Sequence, residues 1–205
     1  MNRLAAVLMT LAVVAASLLL AAPAGSAAAP PWRGVITFDK NWQSPSNSRV
    51  VWQLQQRQTD GRWEVVESRS WRAGAGMLGK RGRNPCVRNR GWLPNGTYAV
   101  KLYNDYPGNL IRGRALRLED KRCPNGTVRR NLFLHTEQGA RNRQCPNRRG
   151  DQVCRWEVPR TNDYKSAGCI KLAPAHLTEL VALYQRHFAA GVRYPKDQVV
   201  LRVVG

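Results

Sequence analysis

Two residue types in this chain could act together as a nucleophile and its base. There are five cysteines, at 86, 123, 145, 154 and 169, and three histidines, at 135, 176 and 187. A cysteine attacks as its thiolate, so it needs a base close in space, and attack on an amide needs donors for the developing oxyanion. Cys169 stands in Ser166-Ala167-Gly168-Cys169-Ile170-Lys171-Leu172, directly after a glycine. A glycine there lets a substrate approach the backbone closely, so the amides around Gly168 and Cys169 are candidate oxyanion donors. His135 ends the apolar run Leu132-Phe133-Leu134, where a side chain emerges at the rim of a sheet on a rigid scaffold. His176 and His187 fall in helical text and read as solvent-facing or internally satisfied. The residues alone leave two plainer readings open: Cys169 as a small buried hydrophobe before Ile170, and His135 as a strand histidine bonded to backbone.

The start of the chain bears on the cysteines. Met1-Asn2-Arg3 carries a charge, 4–22 is largely apolar, and 22–29 is rich in small residues. This pattern predicts a secretory signal peptide over 1–29, cleaved between Ala24 and Ala29, with a retained membrane anchor as the rival reading. Outside the cytosol thiols tend to pair, and five leave one over. Cys145 and Cys154 flank a short polar loop that closes at little entropic cost. Cys86 and Cys123 lie in basic, loop-like text and could close a second bridge. Four cysteines pair in three ways, and spacing does not fix which. This pairing would leave Cys169 as the free thiol. No metal site is expected, because Cys145 and Cys154 lack a histidine pair at finger-like spacing.

The elements that must position these groups read as mostly β. Val50 to Gln56 and Trp63 to Val66 are strand-like around the turn Thr59-Asp60-Gly61. Ala73 to Gly79 is Gly-rich but lacks the Lys-Ser/Thr ending of a phosphate loop, and so reads as a flexible loop. Pro-Asn-Gly-Thr occurs at 94–97 and 124–127, and each copy leads into a strand, Tyr98 to Tyr103 and Val128 to His135. Ala175 to Ala189 places Leu177, Leu180, Val181, Tyr184 and Phe188 at helical spacing, with Pro174 at its start and Gly191 as its stop. Gln198 to Val204 reads as a final strand. The expectation is a mainly β domain with one principal helix, divided into a lead segment over 30–48 and a domain over 49–205.

With the motifs in place, a resemblance becomes specific. Ser166-Ala167-Gly168-Cys169-Ile170-Lys171-Leu172 is similar to the Ser-His-Gly-Cys-Ile-Arg-Leu signature of the L,D-transpeptidase (YkuD-like) family. Leu132-Phe133-Leu134-His135 resembles that family's apolar strand ending in a catalytic histidine, and Leu93-Pro94-Asn95-Gly96-Thr97-Tyr98 its Thr-Pro-x-Gly-x-Tyr segment. The resemblance implies a β-sandwich or barrel-type catalytic domain with Cys169 as nucleophile and His135 as general base. It also implies that Ser166 and Gly168 shape the pocket and that Lys171, where the family has Arg, contacts a substrate carboxylate. Ala167 replaces the motif histidine, and Thr136 the glycine that often follows the upstream histidine. The 34-residue separation of His135 and Cys169 is long for the family, and the excess falls in a disulfide-closed insertion over 144–155.

The expected function is therefore a secreted cysteine L,D-transpeptidase acting on peptidoglycan stem peptides in the cell wall or extracytoplasmic space, monomeric and without a cofactor. If water resolves the acyl-enzyme, the same site is an L,D-carboxypeptidase. A non-catalytic wall-binding module and a basic nuclease using His135 with Glu137 are the rivals from other classes. The chain has 33 Lys and Arg against 13 Asp and Glu, a formal charge of +20. For an exported protein this charge predicts salt-dependent attraction to anionic wall polymers, with no nucleic acid expected as partner.

Overall fold

The computed structural model describes residues 32–146, 149–188 and 198–205. The expected signal peptide, its cleavage site, the residues after Phe188 at the end of the helix and the Gly191 stop lie outside the described residues.

The chain is mainly β. In order come β1 (Trp32–Asp39), β2 (Ser48–Arg57), β3 (Trp63–Gly74), a single helical turn α1 (Lys80–Arg83), β4 (Gly96–Pro107) and β5 (Arg112–Leu118). Then follow β6 (Lys121–Arg122), β7 (Val128–Arg129), β8 (Phe133–His135), β9 (Ile170–Leu172), the main helix α2 (Pro174–His187) and β10 (Val199–Val204). Eight strands close into a barrel in the order β1-β10-β4-β5-β8-β9-β3-β2, and β6 and β7 form a separate hairpin. The neighbours β1 and β10, and β8 and β9, run parallel, while the other barrel pairs are antiparallel.

Strand alternation fills the barrel. Val50, Trp52 and Leu54 on β2, Tyr98, Val100 and Leu102 on β4, and Val199, Leu201 and Val203 on β10 all point into one core, as a period of two requires. Helix α2 adds Leu177, Leu180, Val181, Leu183 and Tyr184. Tyr184 and Phe188 stack against Trp52, their ring centroids 6.5 and 6.2 Å from its own. Trp71 on β3 donates to Glu179 Oε2 at 2.8 Å and ties the helix to the barrel. Pro174 occupies the first turn of the helix, where its missing N–H costs nothing. No helix among the described residues is long and apolar enough to cross a membrane.

Three expectations change. The 30–48 segment is no mere lead, because its residues 32–39 form β1, hydrogen-bonded to both β2 and β10. The first half of the Gly-rich stretch, 73–76, is buried and packed, while 77–79 are exposed. Ala73 and Gly74 pair with Leu172 and Lys171 of β9, and a Cβ on Gly74 would meet Tyr164 O at 2.5 Å. Small residues are there because two backbones nearly touch. The strand expected over Val128 to His135 breaks in two at Asn131, whose φ of 55° lies in the left-handed region.

Candidate active site

The site is assembled where β8 and β9 lie side by side. Their parallel register pairs Leu134 with Ile170 and His135 with Lys171. Leu134, Ile170 and Leu172 turn into the core, so the alternate residues His135, Glu137, Cys169 and Lys171 share the opposite face. Those four line one cavity of about 360 Å³, walled by Met77, Leu110, Ile111 and Val153 and closed below by Ser166 and Ala167. Cys169 and His135 are diagonal neighbours on adjacent strands and open on the same cavity. Val153 belongs to the 144–155 insertion, which thus supplies part of the wall.

The remaining cysteines are bridged. Cys86 pairs with Cys123 and Cys145 with Cys154, leaving Cys169 free and half-buried. Its Sγ lies 3.8 Å from Asn131 O, an acceptor presented by the break between β7 and β8. Burial pushes the Cys169 thiol up, against the opposing pull of a backbone hydrogen bond from Phe133 and the charges of Lys171 and Arg129. At neutral pH the resting group is a thiol.

His135 is buried, and its Nδ1 lies 2.9 Å from Thr136 O. A carbonyl only accepts, so Nδ1 carries the proton and Nε2 keeps a free lone pair. Burial, and then the Lys171 ammonium, pull its pKa from 6.5 down to about 3, while the Thr136 bond opposes them. The imidazole is therefore neutral and able to accept a proton across the physiological range.

This depression has a consequence for stability. A base held neutral in the fold contributes stability that is complete above pH 6.5 and is lost as pH falls toward about 3. At ~1.4 kcal/mol per unit, the loss for His135 is on the order of 5 kcal/mol. Denaturant midpoints measured from pH 7 to pH 4 should fall steeply, and His135→Gln should flatten that slope. An equally steep slope in the variant would mean that other groups set the acid limit.

Ser166 organises the turn before the nucleophile. Its Oγ accepts from Gly76 N and Gly168 N, each at 3.0 Å, and donates to Cys169 O at 2.5 Å. Ser166 N in turn donates to Gly76 O at 3.1 Å. The packed Gly-rich segment is thus the support of the turn. The Gly168 amide is thereby committed to Ser166 Oγ.

Gly168 has a φ of +128°, and a Cβ there would collide with the Arg129 guanidinium and lie 2.8 Å from Gly91 O. Gly168→Ala should destabilise the protein by roughly 3 kcal/mol or more, combining backbone strain with overpacking. Denaturant unfolding would register this, and a loss below about 1 kcal/mol would contradict the packing described.

Lys171 has a partner within the fold. Its ammonium forms an ion pair with Glu137 Oε1, both side chains being about nine-tenths buried. Burial raises the pKa of Glu137 while Lys171 opposes the shift. Glu137, Asp151 and Asp163 bring ligand atoms within 4.8 Å of one another. Glu137 Oε1 is paired with Lys171 while its Oε2 is buried without a hydrogen-bond partner among the described residues, and Asp163 accepts from Glu157 N and Thr161 Oγ1.

No feature of residue type or spacing marks Arg129 among the chain's 33 basic residues. It is 2% exposed and packs against the turn that precedes Cys169. Glu137 did carry a signal, lying two residues beyond His135 on one strand face.

No family model matches the chain, and no curated protein matches it. Among solved structures, the helical cell shape determining protein Pgp2 from Campylobacter jejuni is similar at 15% identity and a TM-score of 0.41, over 84% of this chain and 47% of that one. Its K307A mutant gives 16% identity and a TM-score of 0.39, over 83% and 47%. The chain spans about half the length of these structures.

Proposed function

We propose that the protein is a cysteine acyltransferase of the cell wall, an L,D-transpeptidase that cross-links peptidoglycan stem peptides. One observation carries the reading: the unbridged cysteine and a neutral, correctly protonated histidine lie on one strand face and line one cavity. The substrate class comes from the resemblance of the 166–172 and 132–135 segments to the L,D-transpeptidase signature.

In this mechanism His135 Nε2 takes the thiol proton as Sγ attacks the carbonyl of the residue preceding a terminal D-amino acid. The Cys169 amide receives the developing oxyanion. Collapse breaks the peptide bond, the imidazolium returns its proton to the leaving amine, and a D-amino acid departs. An amine from a second stem then attacks the thioester, His135 takes its proton, and the thiolate leaves and is reprotonated. Both the thiol and the imidazole are neutral at rest, so proton transfer accompanies attack instead of preceding it. The apolar walls Met77, Leu110, Ile111 and Val153 favour an amine over water as the second nucleophile. Hydrolysis at the same thioester would make the enzyme an L,D-carboxypeptidase.

The test is incubation of the full chain with a stem tetrapeptide, alone and with an amine-bearing acceptor stem. The expected result is release of the terminal D-amino acid and a dimeric peptide. Free D-amino acid with only tripeptide as co-product would assign the carboxypeptidase, and no release with no covalent adduct would assign a binding module.

A further inference from the structure

We propose that Arg129 is a positioning residue of the catalytic turn, a fixed cation that holds the backbone before Cys169 in place and supplies positive field to its thiolate. The inference rests on Cys169 being the nucleophile, as proposed above.

The geometry is that of a clamp. Arg129 Nη1 donates to Pro85 O and, at 2.7 Å, to Trp92 O. Its Nη2 donates to Gly91 O at 2.8 Å and to Ala167 O at 3.3 Å. Three of these carbonyls belong to the 85–92 segment, which Cys86 anchors through its bridge to Cys123. The fourth belongs to the nucleophile turn. The guanidinium also lies against Gly168, where it fills the space a Cβ would need. One side chain thus fixes the turn to a disulfide-held loop.

The charge has a second use. Among the described residues the hydrogen bonds of Arg129 end on carbonyl oxygens, and no carboxylate ion-pairs with it. Carbonyls satisfy its donors without cancelling its unit charge. Burying a cation in that way is costly, and burial is the first cause lowering its pKa. An arginine nonetheless stays ionised where a lysine could release its proton. The anion that can answer it is the Cys169 thiolate, which lies within its electrostatic reach.

Arg129 is not alone in facing Cys169. Lys171 favours the thiolate too, ahead of Arg129, and is itself ion-paired with Glu137. His135 is neutral, and position 167 is an alanine. Arg129 also lines, with Arg88, Arg130 and Ala167, a second cavity of about 240 Å³. Tyr98 is a further titratable neighbour, and burial keeps its hydroxyl protonated. Four of the five guanidinium N–H groups are committed to carbonyls.

The experiment is alkylation of Cys169 by iodoacetamide, a neutral reagent, followed by mass spectrometry from pH 6 to pH 11. It is run on the full chain, on Arg129→Met and on Arg129→Lys, with melting temperatures recorded in parallel. Arg129→Met should raise the thiol pKa by about one unit and lower kcat for D-amino acid release about tenfold or more at nearly unchanged KM. Arg129→Lys should melt earlier, having lost its fork of bonds. An unchanged thiol pKa in folded Arg129→Met would reduce Arg129 to a structural clamp and overturn the proposal. Should Arg129→Met fail to fold, Arg129→Gln, which keeps an amide donor and drops the charge, decides: an unchanged thiol pKa there overturns it equally. The thiol titration does not depend on turnover. Failure of the transpeptidase reading would show instead as D-amino acid release surviving in Cys169→Ala.

Discussion

Cys169→Ala should abolish the covalent adduct with a stem tetrapeptide and lower D-amino acid release by roughly 10⁴-fold or more, while leaving the barrel intact. The size follows from the chemistry, since an alanine has no atom that can form the acyl bond. Other groups at the site do not substitute: Ser166 Oγ is occupied by three backbone partners. The intact fold follows from the local packing, where the thiol's hydrogen-bond contact is a long one to Asn131 O. Truncation there removes one half-buried sulfur and no core side chain. Circular dichroism and a denaturant midpoint close to that of the native protein would establish the second half of the claim. Retained release at more than a few per cent of the native rate would move the nucleophile elsewhere and remove the basis of the proposed mechanism.

How much of this was legible in the residues differs by layer. Strand alternation and helical spacing marked β2, β4, β10 and α2, because each buries one face and so writes its period into the sequence. Strand β1 was harder to see: a strand buried between two neighbours in a barrel has no long polar face to contrast with its apolar one. The thiol was legible through arithmetic, five cysteines leaving one, and the histidine through its place at the end of an apolar run. What stayed hidden was whatever depends on distant segments meeting. Lys171 read as a free cation until β8 and β9 were laid side by side, which placed Glu137 against it. Arg129 has no distinguishing mark among the basic residues of a chain with +20, because burial of a guanidinium among carbonyls leaves no trace in neighbouring residue types. The Gly-rich 73–79 stretch read as loose for a related reason. Glycine serves both flexible loops and close backbone contacts, and only the approach of Tyr164 and Ser166 separates the two.

The second large effect concerns the base. His135→Gln should lower the rate of Cys169 acylation at pH 7 by roughly 10² to 10⁴-fold, and the deficit should shrink as pH rises toward 10. Glutamine keeps a donor for Thr136 O, so the strand end retains its hydrogen bond while the proton acceptor is lost. The narrowing with pH is the diagnostic part. In the native protein the thiol is held above its ordinary 9 by burial, and His135, pulled down to about 3, supplies the acceptor that lets a neutral thiol attack. Once hydroxide removes the proton, the acceptor is redundant for the acylation step, and native and variant rates converge. The measurement is single-turnover acylation by intact mass at pH 7, 8, 9 and 10. A histidine that merely positions the thiol would give a deficit of constant size at every pH. The sign of the trend thus separates a base from a spacer, and it does so at the one histidine that this chain places beside its free cysteine.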